Sequence, residues 1–258
     1  VVSRETGGEL SPPTPPPGLP EIPTIVAATY PAAAAGLAEY ARILSTDGVV
    51  KGLIGPREVP RLWERHLLNC AVAHVLIPNG SSVADVGSGA GLPGLVLALV
   101  RPDLRITLVE PLLRRSDFLT DAVARLGLDH VEVVRARVED LPRGTSFDVV
   151  TSRAVAALDK LARWCAPAVS PGGVMIALKG ERADDELRAA APSLRRLGLE
   201  RGTVERIGAG IVDPPTTVVV LRKAPGPTSA ARKPPGQRTQ DRKARSGATR
   251  TNAPRKPR

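Results

Sequence analysis

The stretch Ala84–Gly94, ADVGSGAGLPG, ends an apolar run in a carboxylate, Asp85, and follows it with four glycines. A turn stripped of side chains lets backbone N–H groups come close to a ligand at the start of the next helix. Two registers fit. Gly89, Gly91 and Gly94 spell GxGxxG, a loop for a dinucleotide, while Asp85, Gly87, Gly89 and Gly91 spell DxGxG, a loop for S-adenosylmethionine. Charge separates them. A pyrophosphate is anionic and Asp85 would repel it; the sulfonium and amino group of S-adenosylmethionine are cationic and Asp85 would favour them. Glu110 ends a second apolar run, where a carboxylate can accept both hydroxyls of a ribose, a feature that fits NAD equally. Farther on, ARVED puts Val138 and Glu139 where an adenine could be flanked and its amino group bonded. The plainer alternative has Asp85 capping a turn and Glu139 as a solvated surface acid.

The residues just after the fourth apolar run bear on the acceptor. Methyl transfer to exocyclic amines usually uses an Asn- or Asp-Pro-Pro-aromatic motif there, and this chain has TSRAV instead. The DPPT at Asp213 lies before the last strand and ends in Thr. No Pro-Cys nucleophile follows a strand, which argues against attack through sulfur on a pyrimidine carbon. A nucleophile that needs no activation remains, and guanine N7 is one: a lone pair with no proton to remove. In-line displacement there needs positioning and desolvation more than a general base.

The elements that must hold these groups alternate along the chain. PAAAAGLAEYARILS and REVPRLWERHLLNCAVAHVLI read as helices, the second with Leu62, His66 and Cys70 on one i, i+4 stripe. SVADVG, RITLVE, VEVVRAR, FDVVTS and GGVMIALKG read as strands. Between them lie helices over LPGLVLALVR, LLRRSDFLTDAVARLG (closed by Gly127), VAALDKLARWCAPAV and RADDELRAAAPSLRRLG. GTVERIG and PTTVVVLRK are expected to close the sheet as a hairpin. The alternation predicts an α/β, mostly parallel, doubly wound sheet.

Composition bounds the rest. The chain has 258 residues and a net charge of +10. From Arg222 onward there are twelve Lys and Arg against one acid, Asp241, so the remainder, with 24 basic and 25 acidic residues, is almost neutral. Six aromatic residues in all argue against a base-stacking sheet. No apolar run is long enough for a membrane span. The Pro-rich start lacks a signal-peptide pattern, and Cys70 and Cys165 have no metal-ligand spacing. A cytoplasmic, metal-free protein is expected. The organisation expected is a Pro-rich disordered head over 1–23, a helical cap over 24–80, a Rossmann-like core over 81–223 and a basic disordered tail over 224–258.

Taken together, GPREVPRLWERHLLNC, DVGSGAGLPG, LVEPLLRRSDFL, RVED, TSRAVAALDKL and ALKG, in this order and spacing, resemble the bacterial RsmG/GidB family of small-subunit ribosomal RNA guanine-N7 methyltransferases. The resemblance runs from about Tyr40 to Lys223. It implies the class I S-adenosylmethionine-dependent methyltransferase fold with an N-terminal helical region. It also implies methylation of one guanine in the decoding-region loop of 16S rRNA, free or in the 30S subunit or its precursor. Carried over by motif, cofactor contacts fall on Gly87, Leu92, Val138, Glu139 and Arg153. By its place after the fourth strand, Arg153 could hold the cofactor carboxylate or a phosphate of the target nucleotide, or form a structural ion pair. Arg65 and His66 of WERH would face the cleft, Arg153 and His66 positioning substrate; a lone His on a helix stripe is otherwise a packed core residue. Lys179 of ALKG could meet the RNA backbone or snorkel at a sheet end. A monomer is expected. The competing readings are a methyltransferase for a small molecule or protein, and a noncatalytic nucleotide- or RNA-binding factor. For the tail, modest attraction to RNA competes with an appendage of no catalytic role.

Overall fold

The central strands are short apolar runs buried on both faces, the pattern required of parallel strands covered by helices on each side. In the computed structural model, which describes residues 21–153 and 155–226, the strands are β1 (Ser82–Val86), β2 (Arg105–Val109), β3 (Val131–Val134), β4 (Phe147–Arg153), β5 (Val169–Lys179), β6 (Leu199–Ile207) and β7 (Thr216–Lys223). Their order across the sheet is β3-β2-β1-β4-β5-β7-β6. All neighbours are parallel except β7, which runs antiparallel between β5 and β6. Val83 of β1 is level with Ile106 of β2 and Val149 of β4, so the chain reverses its winding direction between β1 and β4. Ligands bind at the carboxyl ends of strands at such a switch point.

Helices α1 (Thr24–Thr29), α2 (Ala34–Ile43), α3 (Asn69–Ala71), α4 (Gly94–Val100) and α5 (Leu113–Leu126) cover one face; α6 (Leu158–Cys165) and α7 (Ala183–Arg196) cover the other. Leu37, Leu44, Leu62 and Leu67 from the N-terminal helices share a single buried core with Leu95, Leu97 and Leu108. Gly127, at φ 63°, closes α5 as its place in the sequence predicts. No helix among the described residues is long and apolar enough to cross a membrane. The proposed head and tail lie outside the described residues except at their inner ends, 21–23 and 224–226.

Two elements depart from expectation. The segment read as one regular helix from Arg57 to Ile77 is a succession of pitches: 3₁₀ over Pro56–Arg61, π over Leu62–Leu68, one α turn at α3, then 3₁₀ over Val72–Leu76. Pro60 lacks an N–H and clashes with the preceding turn, which bars an α-helix there. The wide turn after it brings the carbonyls of Arg65 and His66 to 3.3 and 3.5 Å from the Arg153 guanidinium. Leu62 and Cys70 of the predicted stripe are buried and His66 is partly so. Strand β3 is also shorter than VEVVRAR suggests, because the chain leaves the sheet after Val134.

The turn between β1 and α4 is fixed from behind. Asp85 is 0% exposed, and its Oδ2 accepts the Gly94 N–H at 2.9 Å. A Cβ at position 94 would collide with Leu108 and lie 2.7 Å from that same oxygen, so only glycine permits the approach. Asp85 Oδ1 has no hydrogen-bond partner among the described residues. Burial pushes the Asp85 carboxyl up to about 7, with the nearby Glu110 charge adding to the rise and the Gly94 N–H opposing it. The folded chain therefore holds this proton more tightly than the unfolded one. Its stabilising contribution is complete below about pH 4 and is lost as pH rises to about 7. Replacing Asp85→Asn removes this loss. Urea unfolding between pH 4 and 8 should show the wild type losing stability relative to the variant across that window, by about 4 kcal/mol at most. A difference that does not change with pH would contradict a raised Asp85.

Candidate active site

Three adjoining cavities run along the carboxyl ends of β1, β2, β4 and β5. Gly87, Pro111 and Val155 line both the first and the second; Arg153 and Val155 line both the second and the third. Val155 therefore touches all three, from the loop after β4. Gly87 has φ 70°, and a Cβ there would lie 2.8 Å from Val155 Cγ2. The left-handed backbone and the close approach both require glycine.

The first cavity, about 380 Å³, is an apolar slot. Val138, 7% exposed, and Trp164 of α6 supply its walls, and the exposed Glu139 stands at its edge. It suits a flat heteroaromatic ring with an amino group for Glu139 to accept.

The second cavity, about 550 Å³, is floored by the glycine loop. Glu110 is only 2% exposed and is held at both oxygens. Its Oε2 accepts the Gly89 N–H at 3.0 Å, and its Oε1 accepts the Leu112 N–H at 3.1 Å. Each oxygen keeps a lone pair for a hydroxyl on the cavity side. Leu92 lines this cavity. The Gly91 N–H donates to the Ser88 carbonyl at 2.6 Å, so Gly91 shapes the turn from within. Tyr40 reaches from α2 and donates its hydroxyl proton to the Ala90 carbonyl at 2.5 Å. Asp85 is not among the residues lining any of the three cavities. The sequence reading placed its carboxylate against the cationic end of a cofactor. Strand alternation turns it toward α4, where its Oδ2 accepts the Gly94 N–H and so acts on the loop.

The third cavity, about 850 Å³, is rimmed by Arg65, Arg153, Lys179 and Arg182, with Asn69 and Thr216 among its polar groups. Lys179 is only 9% exposed at its side chain. It donates to Glu186 Oε2 at 2.8 Å and to the Ala156 carbonyl at 2.7 Å, so it braces the loop between β4 and α6. Arg65 is half exposed, with Nε 3.4 Å from Glu58.

Arg153 stands on the wall between the second and third cavities. It donates to His66 Nδ1 at 2.7 Å and to Cys70 Sγ at 3.1 Å. No carboxylate among the described residues comes within ion-pair distance of it, which argues against the structural ion pair and leaves its charge for an anion. His66 Nε2 lies 2.9 Å from Glu58 Oε2. Burial holds the imidazole below its usual range, Arg153 adds to that, and Glu58 opposes it.

Three residues at the site carry no role in the sequence reading: Trp164, and Val155 and Glu58, which lie within TSRAVAALDKL and GPREVPRLWERHLLNC. Trp164, one of two tryptophans and carried on the helix after the fourth strand, offered the only compositional signal. Glu58 offered none, because it reaches His66 across turns of irregular pitch.

Solved structures of similar fold include the S-adenosylmethionine-dependent methyltransferase SibL in its apo form (TM-score 0.53, 18% identity, 72% of this chain and 62% of that one). A second is a putative S-adenosyl-L-methionine-dependent methyltransferase from Methanococcus maripaludis (TM-score 0.51, 14% identity, 73% of this chain and 95% of that one). They show the fold to be the Rossmann-like class I methyltransferase fold. In sequence, the chain is 53% identical over 210 residues to a ribosomal RNA small subunit methyltransferase G of Streptomyces coelicolor, covering 81% of this chain and 88% of that protein. It is 58% identical over 191 residues to the protein of the same name in Salinispora tropica, covering 71% and 79%. The GidB family, described as rRNA small subunit methyltransferase G, matches residues 33–211. With these matches lying over the glycine loop and the three cavities, the chain belongs to the rRNA small subunit methyltransferase G family.

Proposed function

We propose that this protein transfers a methyl group from S-adenosylmethionine to N7 of a guanine in the decoding-region loop of 16S rRNA. Membership of the family supports methylation of small-subunit rRNA by an enzyme using this cofactor. The finer reading rests on one observation: in the cavity next to the cofactor cleft the acids are paired with cations. Glu186 is engaged by Lys179 and by the Leu158 N–H, Asp185 pairs with Arg188, and His66 has both ring nitrogens in hydrogen bonds. Each acid there is committed to a cation, which weakens it as a proton acceptor, whereas guanine N7 has no proton to lose.

The residues present fit the cofactor. The slot of Val138 and Trp164, with Glu139 at its edge, suits the adenine. The buried Glu110 suits the ribose hydroxyls. The bare backbone at Gly87, where a Cβ would collide with Val155, suits the chain that leads to the sulfonium. When bound, S-adenosylmethionine supplies an electrophilic methyl on cationic sulfur. The protein's own task is placement. Asp85, Glu110 and Tyr40 hold the loop rigid, Val155 separates the cavities, and Arg153 offers a fixed positive charge at the seam to the cofactor carboxylate or a nucleotide phosphate. Orientation of this kind can supply roughly 7 kcal/mol or more of rate enhancement without a base.

The basic tail lies outside the described residues, and its role is argued from charge alone. Ending the chain after Lys223 removes ten Lys and Arg and one acid. Association with 30S particles should then slow and become less sensitive to salt. Unchanged methylation rates with unchanged salt dependence would assign the tail no part.

The direct test incubates labelled S-adenosylmethionine with undermethylated 30S particles and maps N7-methylguanosine by cleavage at the modified base. Label at a single decoding-loop guanine is expected; label on another atom, or on protein or small molecules only, would overturn the reading. Gly87→Val should abolish transfer by filling the cofactor cleft. Titration calorimetry should then show that variant to have lost binding of S-adenosylmethionine, while the wild type binds this ligand and not NAD.

A further inference from the structure

The contacts of Arg153 lead back to a residue to which no role attaches. A guanidinium only donates, because it does not lose its proton in a protein. Its Nη2 lies 2.7 Å from His66 Nδ1, so Nδ1 must present a lone pair. The ring proton is then on Nε2, which lies 2.9 Å from Glu58 Oε2, an acceptor. An imidazolium would set an N–H against the guanidinium, and the other neutral tautomer would break both contacts. Only the Nε2–H neutral form makes both bonds.

We propose that Glu58 is a positioning residue for methyl transfer: it fixes His66 in the Nε2–H tautomer and, through that ring, aims Arg153 at the seam between the cofactor and acceptor cavities. Arg153's other partners are the carbonyls of Arg65 and His66 and the sulfur of Cys70. These all lie along the one segment from Arg65 to Cys70. The ring nitrogen is the one acceptor whose direction is set from a separate element. Glu58 is itself anchored, its N–H bonding the Gly55 carbonyl at 2.8 Å in the 3₁₀ turn that contains Pro60. The partial exposure of Glu58, 31% at its side chain, against 12% for His66, places the relay's outer end at solvent and its inner end in the cleft. Such a partner acts on geometry, and its loss is felt as misplacement of the group it holds.

The functional half of this inference rests on the reading of Arg153 given under Proposed function, and the test separates the two. In the full chain labelled with ¹⁵N-histidine, the three histidines are resolved and His66 is assigned with a His66→Asn variant. Long-range ¹H–¹⁵N spectra at neutral pH should show His66 protonated at Nε2 and bare at Nδ1. A ring protonated at Nδ1 overturns the relay, whatever the activity. Glu58→Gln keeps a carbonyl acceptor and should preserve both the tautomer and, within about twofold, kcat on 30S particles. Glu58→Leu leaves Arg153 alone to hold the ring and should weaken the tautomer preference and cost about tenfold in kcat, the scale of one charge-assisted hydrogen bond, with cofactor affinity changed less. In an Arg153→Ala background, Glu58→Leu should cost nothing further. Equal losses on both backgrounds would make Glu58 merely structural and overturn the proposal. If the Leu variant fails to fold, the wild-type tautomer and the Gln variant still decide. An inactive wild type with the expected tautomer would sink the rRNA reading and leave the relay's geometry intact.

Discussion

Everything at the cleft depends on a carboxylate that lines none of its three cavities. Asp85 closes β1 in full burial and holds the first N–H of α4 through Gly94, at a cost visible in its raised pKa. Two other elements grip the same turn. Glu110 at the end of β2 takes the Gly89 N–H, and Tyr40 from α2 gives its proton to the Ala90 carbonyl. Strand β1, strand β2 and the N-terminal helices thus each fix one backbone group of a turn that has almost no side chains of its own. A glycine-rich loop left free would lose much conformational entropy on binding; one clamped at three points has already given it up on folding.

The arrangement of charge follows a similar division. Outside its basic end the chain is almost neutral, yet cations gather around the third cavity while the second is floored by backbone and a buried acid. Arg153 is the hinge between the two regimes, partly buried and, among the described residues, with no carboxylate in ion-pair distance. Its neighbours are neutral atoms, so its charge is oriented but not cancelled. Lys179 does the reverse: its charge is committed to Glu186 and the Ala156 carbonyl, and it stabilises the loop that carries Val155. Two basic residues at the ends of neighbouring strands therefore carry different duties, which their shared position at a strand end does not distinguish.

Much of the fold was legible beforehand because its causes are local. The strands over Ser82–Val86 and Arg105–Val109 follow from apolar runs of the right length, and α5 ends at Gly127 because only a left-handed residue closes it there. Gly87, Glu110, Val138 and Glu139 could be named as site candidates because strand ends and glycine spacing place them at one edge of a parallel sheet, Leu92 only through the family resemblance, and the structure sets all five around adjoining cavities. What could not be read depended on pitch and on depth. The segment from Pro56 to Leu76 looks helical by composition, but its succession of 3₁₀, π and α turns decides which carbonyls face Arg153.

The sequence by itself determined the order of elements, the identity of the glycine turn and the neutrality of the folded part, since these rest on periodicity, on the absence of Cβ atoms and on a count of charges. Only the tertiary structure decided that Asp85 supports the loop from beneath, that Lys179 braces and Arg153 projects, and that Glu58 stands behind His66. Those outcomes depend on which way a side chain turns when strands and helices meet, and on what is already within hydrogen-bond reach. Spacing along a chain carries no such information for residues brought together from elements far apart in sequence.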